Sequence, residues 1–184
     1  IYKKLIYGDT VFKSVASFSK EHQDHTIIVH GLAKAYSMTG WRIGFTAAPL
    51  PIAKAIGAIQ SHSTSNPTSF AQSGAVQALK GPQDHLAEWL AQFSKRRDYA
   101  YGRLTNMEGI TCVNAQGAFY LFPNISGTGM KSAEFCEKLL AEQKVAAVPG
   151  VAFGSDGFIR LSYATSMENI EKGLNRLEAF VRTL

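Results

Sequence analysis

The sequence predicts an α/β fold that runs into a small α+β domain. Three observations carry the prediction. Strand and helix signals alternate over residues 1–81, residues 82–108 keep one long helical period, and short strands around single helices follow over 109–184. The division expected is therefore the end of a larger α/β domain, a connecting helix, and a small C-terminal domain.

Each element has its own signal. "YKKLIY" and "HTIIVHG" read as strands, the second a β-branched run of the kind buried in a parallel sheet. "WRIGFTAAP" reads as a further strand stopped by Pro49, and "LPIAKAIGAIQSH" as a helix. After the turn-like "STSNP", a second helix is expected over "TSFAQSGAVQAL", with Pro67 near its start and Gly81 just past its end. In "PQDHLAEWLAQFSKRRDYAYGRL" the apolar residues Leu86, Trp89, Leu90, Phe93, Tyr101 and Leu104 recur with a period of about 3.6 residues, as in a long amphipathic helix. From Gly109 onward "ITCV" and "AFYLFPNI" read as neighbouring strands, and "SAEFCEKLLAEQ" as a helix with Ser132 as N-cap. "VAAVPG" and "FIRLSYA" are short strands. The last helix, "SMENIEKGLNRLEAFVRTL", starts at Ser166 and carries the stripe Ile170, Leu174, Leu177 and Val181.

Composition narrows the class. With 46% hydrophobic and 18% charged residues the 184-residue chain is globular rather than disordered. Its net charge of +5 is scattered apart from Lys95–Arg97, which speaks against nucleic acid as a partner. No apolar run is long enough for a membrane span, and no signal peptide is visible. Cys112 and Cys136 lack metal-ligand spacing, and the histidines show none, so no metal site is expected and a reducing cytoplasm is the simplest location. The opening "IYKKLIY", without methionine and within a strand signal, reads as a piece of a longer polypeptide.

The chemistry centres on "GLAKAYSMTGWRIGF". Lys34 follows a strand and a glycine, where α/β folds place ligands. A partly desolvated lysine there can attack an aldehyde as a neutral amine. Gly31 and Ala33 would leave room for a flat ring against the backbone. Arg42, among Gly40, Trp41 and Gly44, offers the planar fork that suits a phosphate. An imine-forming lysine with a phosphate clamp nearby is what a pyridoxal phosphate site requires.

This stretch resembles the cofactor-attachment signature of class I aminotransferases, of the pyridoxal phosphate fold type I superfamily. The likeness runs over Gly31, Leu32, Ala33, Lys34, Ser37, Met38, Gly40, Arg42, Ile43 and Gly44. It implies that the chain is the C-terminal part of such an enzyme: the end of the fold type I large domain plus the small domain. It also implies that Lys34 binds pyridoxal 5'-phosphate and shuttles the substrate Cα proton, and that Arg42 holds the cofactor phosphate. "IRLSYATS" resembles the family segment whose arginine grips the substrate α-carboxylate, here Arg160. "SNPTSFAQ" resembles the loop near the neighbouring subunit's site, which points to Ser65 and Asn66 and to a homodimer. Tyr2 matches the tyrosine that hydrogen-bonds the ring's phenolic oxygen, with the family's nitrogen-pairing Asp falling upstream of Ile1.

Departures matter as well. His30 stands where many relatives carry Asn, Gly31 where a subgroup carries a phosphate-binding Ser, and Ser61 where some aspartate aminotransferases carry an arginine for the distal carboxylate. The wording is closest to bacterial aspartate aminotransferases, so the expected reaction is amino transfer from aspartate to 2-oxoglutarate, with these 184 residues inactive by themselves. The alternatives are a C–S lyase or aminocyclopropane-carboxylate synthase of the same fold, and an aminotransferase-like sensor domain of a transcription regulator.

Overall fold

A computed structural model describes residues 1–184. The chain divides into two compact units, Ile1–Glu88 and Trp89–Leu184.

In the first unit a short helix α1 (Lys20–Asp24) precedes strands β1 (Ile28–Gly31) and β2 (Gly44–Ala47), followed by helices α2 (Leu50–Ser63) and α3 (Ser69–Lys80). The strand expected at "YKKLIY" is not formed: it holds one bridge residue, Ile6, because Lys3 and Lys4 turn the chain and the Leu5 N–H donates to the Tyr2 carbonyl (2.7 Å). Within residues 1–184 "TIIV" has no parallel neighbour. β1 pairs antiparallel with β2, in register from Ile28 opposite Ala47 to Gly31 opposite Gly44. The connection between them holds turns and one short 3-10 segment (Thr39–Trp41), with no crossover α-helix, so the chain comes straight back. In this chain Val29 is 77% exposed, and only Gly31 of β1 is buried.

Helix α4 (Asp84–Leu104) follows the period read from the sequence, and Leu104 is fully buried along with Ala100, which the apolar pattern did not single out. The second unit adds β3 (Tyr120–Leu121), α5 (Ser132–Gln143), β4 (Val148–Pro149), β5 (Ile159–Ser162) and α6 (Met167–Val181). The three strands form one antiparallel sheet in the order β3-β5-β4. "ITCV" contributes only the Thr111–Asn124 bridge. The longer strand expected at "AFYLFPNI" is two residues, held between Ala118 at positive φ and Pro123.

Two helix starts differ in mechanism. Ser166 caps α6 as expected, its hydroxyl accepting the Asn169 N–H (3.2 Å). Ser132 is instead the first residue inside α5 and Lys131 is the cap. Its N–H and hydroxyl both donate to Asp156 Oδ1 (3.1 and 2.7 Å), so an acid from a distant segment satisfies the helix start. The α6 stripe is buried throughout, and Phe180 beside it meets Phe135 edge-on at 5.2 Å. No helix is long and apolar enough to cross a membrane.

Candidate active site

Lys34 sits on the turn that leaves β1. Leu32 and Ala35 on either side are buried, Lys34 is half-buried, and the Tyr36 N–H closes the turn on the Leu32 carbonyl (3.1 Å). Leu32 and Met38 pack with Ala75 of α3, and Tyr36, Ile43 and Ala78 surround that cluster. The tyrosine is tied further by its hydroxyl, which donates to Gln83 (3.1 Å). A helix can approach this closely because it offers small residues: Ala71, Gly74, Ala75 and Ala78. At Gly74 a Cβ would lie 2.5 Å from the Trp41 indole, which also meets Phe70 at 6.1 Å.

Trp41 leads directly into Arg42, where the backbone enters the left-handed region (φ 48°, ψ 46°). Ser37 (φ 53°) and Ser65 (φ 61°) do the same. Left-handed backbone at non-glycine positions costs free energy and persists only where surrounding packing imposes it. The turn places the exposed Arg42 guanidinium so that Nη1 donates to the Thr39 carbonyl (2.9 Å). No acidic side chain pairs with it. Its charge stays available to an external anion.

Arg42, Gly31, Ala33, Ile43 and Gly44, with Val29, His30 and Ile1, line a groove of about 430 Å³. The glycines have a reason the sequence did not reveal. A Cβ on Gly44 would come 2.8 Å from the His30 carbonyl, and one on Gly31 would come 3.2 Å from that of Ile43. The two strands thus close on each other, and the small side of the groove is a by-product of that pairing. His30 faces Phe45 edge-on (5.4 Å). Burial first, with the positive charge of Lys3 adding to it, pushes its imidazole pKa below the ordinary value, favouring the neutral ring. Small walls with one uncompensated guanidinium fit a flat phosphate ester.

The other residues singled out from sequence are distributed as follows. Tyr2 is half-buried in the turn before Leu5, not on a strand, and neighbours Ile1 of the groove wall. Ser65 and Asn66 are exposed just after α2, where the Ser65 N–H donates to the Gln60 carbonyl (3.0 Å). Arg160 belongs to the second unit. It lies on β5 opposite Val148, with its guanidinium carbon 4.5 Å from the Tyr120 ring centre and 4.8 Å from that of Phe153. Sequence reasoning missed Trp41, Gly74, Tyr120 and Phe153. The available signal was aromatic residues beside the two arginine segments.

Known proteins resemble this chain over nearly its whole length. Residues 1–177 match the family model described as aminotransferase class I and II. The chain is 46% identical to an aspartate aminotransferase of Bacillus subtilis (strain 168), over 98% of this chain and 47% of that protein. It is also 46% identical to a probable aspartate/prephenate aminotransferase of Aquifex aeolicus (strain VF5), over 96% of this chain and 46% of that protein. The crystal structure of the aspartate aminotransferase from Rhizobium meliloti superposes with a TM-score of 0.95 at 38% identity, covering 99% of this chain and 48% of the other. The chain thus spans about half the length of the relatives it matches. A lysine turn packed on a small-residue helix face, an unpaired arginine beyond it, and a match over nearly all residues lead to one conclusion: the chain belongs to the class I and II aminotransferase family.

Proposed function

We propose that this chain supplies the lysine and two arginines of an aminotransferase that moves an amino group from an L-amino acid, aspartate foremost, to a 2-oxo acid, 2-oxoglutarate foremost. The observation that carries the reading is the single turn-rich loop bearing Lys34 and Arg42, pinned on α3, with no acid paired to the arginine. The family uses pyridoxal 5'-phosphate, and when bound that group supplies the electron sink for cleavage at the amino acid's Cα.

The residues take distinct roles. Lys34 offers the amine that meets the cofactor's aldehyde carbon, and its Nζ then carries the proton at the substrate Cα as a general base. Arg42 holds the phosphate, and Tyr2 donates to the ring oxygen. Arg160 orients the amino acid by a two-pronged grip on its α-carboxylate. Ser65 and Asn66 belong to the loop that meets the neighbouring subunit of a homodimer. In this reading residues 1–81 close the cofactor domain, 82–108 connect, and 109–184 form the small domain of a cytoplasmic enzyme. The names of the relatives support aspartate as donor and favour transfer over elimination or sensing.

The test uses the whole enzyme that contains this chain. Borohydride reduction followed by peptide mass analysis is expected to find a pyridoxyl group on the peptide holding Lys34. Lys34→Ala should lose that label and about 10³-fold of the aspartate–2-oxoglutarate rate. A label that persists in Lys34→Ala, or sits on another lysine, refutes the assignment.

A further inference from the structure

We propose that Phe153 and Tyr120 form an aromatic clamp that fixes the plane of the Arg160 guanidinium, which makes Phe153 a positioning residue for the substrate α-carboxylate. The proposal rests on Arg160 being the carboxylate-binding residue. Its own ground is geometric. The guanidinium carbon lies over two rings, 4.5 Å from the centre of Tyr120 and 4.8 Å from that of Phe153, within the range of cation–π attraction. No carboxylate of the chain pairs with Arg160, so the rings hold it without consuming the N–H donors at its edge. An acid in that role would compete with a substrate carboxylate, whereas ring faces leave the fork open.

Both rings are themselves held. Tyr120 stands opposite Ser162, so Arg160, two residues back on β5, is its diagonal neighbour on the same sheet face. Phe153 ends the tight turn Gly150–Phe153 that follows β4. That turn is braced on three sides. The Gly150 N–H donates to the Phe158 carbonyl (2.8 Å), the Ser155 N–H to the Gly150 carbonyl (3.0 Å), and the Val151 N–H to the Ser132 hydroxyl (3.2 Å). Gly150 has no room for a side chain, since a Cβ would fall 2.2 Å from the Ser155 carbonyl. Behind the clamp Phe122 meets Phe153 edge-on at 5.8 Å and stacks on Phe158 at 5.0 Å. Yet Phe153 stays 48% exposed. A large apolar ring fixed at the surface by so many contacts is explained by the cation it covers.

The experiment compares Phe153→Leu, Phe153→Tyr and Arg160→Lys in the whole cofactor-loaded enzyme. Calorimetry gives the dissociation constant for succinate, a carboxylate that cannot react, and steady-state kinetics give KM and kcat for aspartate. Releasing one ordered arginine side chain corresponds to a loss of about 3- to 10-fold. The expected result for Phe153→Leu is therefore a succinate Kd and aspartate KM raised by that factor, with kcat within about 2-fold of the parent. Phe153→Tyr, which keeps the ring, should restore both. If Phe153→Leu binds succinate like the parent while Arg160→Lys binds it weakly, the clamp is refuted and the role of Arg160 stands. If Arg160→Lys also binds like the parent, the carboxylate assignment fails and the clamp with it.

Discussion

At Asp156 a half-buried carboxylate is bound by the N–H and hydroxyl of the buried Ser132, and through Ser132 it holds Val151. The Ser132 hydroxyl first, with its N–H and the charge of Lys131 adding to it against a desolvation cost, keeps the Asp156 carboxyl below its ordinary pKa. The sign follows by linkage. A depressed folded-state pKa contributes stability above the unfolded value, and that contribution is lost as pH falls below about 4 through the folded one. Amide exchange at Ser132 and Val151 in the parent, taken relative to Asp156→Asn at each pH, should therefore quicken as pH falls below about 4; parallel curves would remove Asp156 as the cause. At this scale Lys34 and Arg42 were legible because their chemistry and spacing are local. Asp156 and Phe153 were not, because their partners, Ser132 across 24 positions and Arg160 on another element, meet only in the folded chain.

Helix α3 owes its place to what it lacks. Its Ala71, Ala75 and Gly74 let the Lys34–Arg42 loop lie against it, and Gly74 is where Trp41 comes closest. Gly74→Ala gains about 1 kcal/mol of helix propensity but overpacks a rigid indole at a cost of about 1–3 kcal/mol. The net expectation is a lower urea midpoint. Gly102→Ala on α4, where a Cβ would meet nothing within 4 Å, should raise it, and equal shifts of the two would discount the Trp41 contact. All five helices expected from the sequence form, since a period sustained over many residues survives tertiary context. Strand pairing was less legible. A β-branched run looks alike in parallel and antiparallel company, and the deciding fact, a return without a helix, lies in the connection.

Over the whole molecule burial is uneven. Of the 23 buried apolar side chains, 7 lie in Ile1–Glu88 and 16 in Trp89–Leu184. Helix α2 buries none, and Phe12, Phe18, Leu50, Ile59 and Phe70 of the first unit are exposed. Local opening costs least where few apolar contacts must break. For the 184-residue chain, hydrogen exchange should show α2 exchanging ahead of α5 and α6, and equal protection would contradict this distribution. Gly31 and Gly44 bear on the same molecule in another way, as the origin of a length scale. Moving one strand past the other by a single residue would carry Arg42 about 3.4 Å along the ribbon and turn its neighbours to the opposite face. Insertions and deletions are therefore not equivalent along this chain. One extra residue in the exposed turn after α2 leaves the hairpin ruler intact, whereas one between Leu32 and Ile43 changes the span from lysine to arginine that the chemistry depends on.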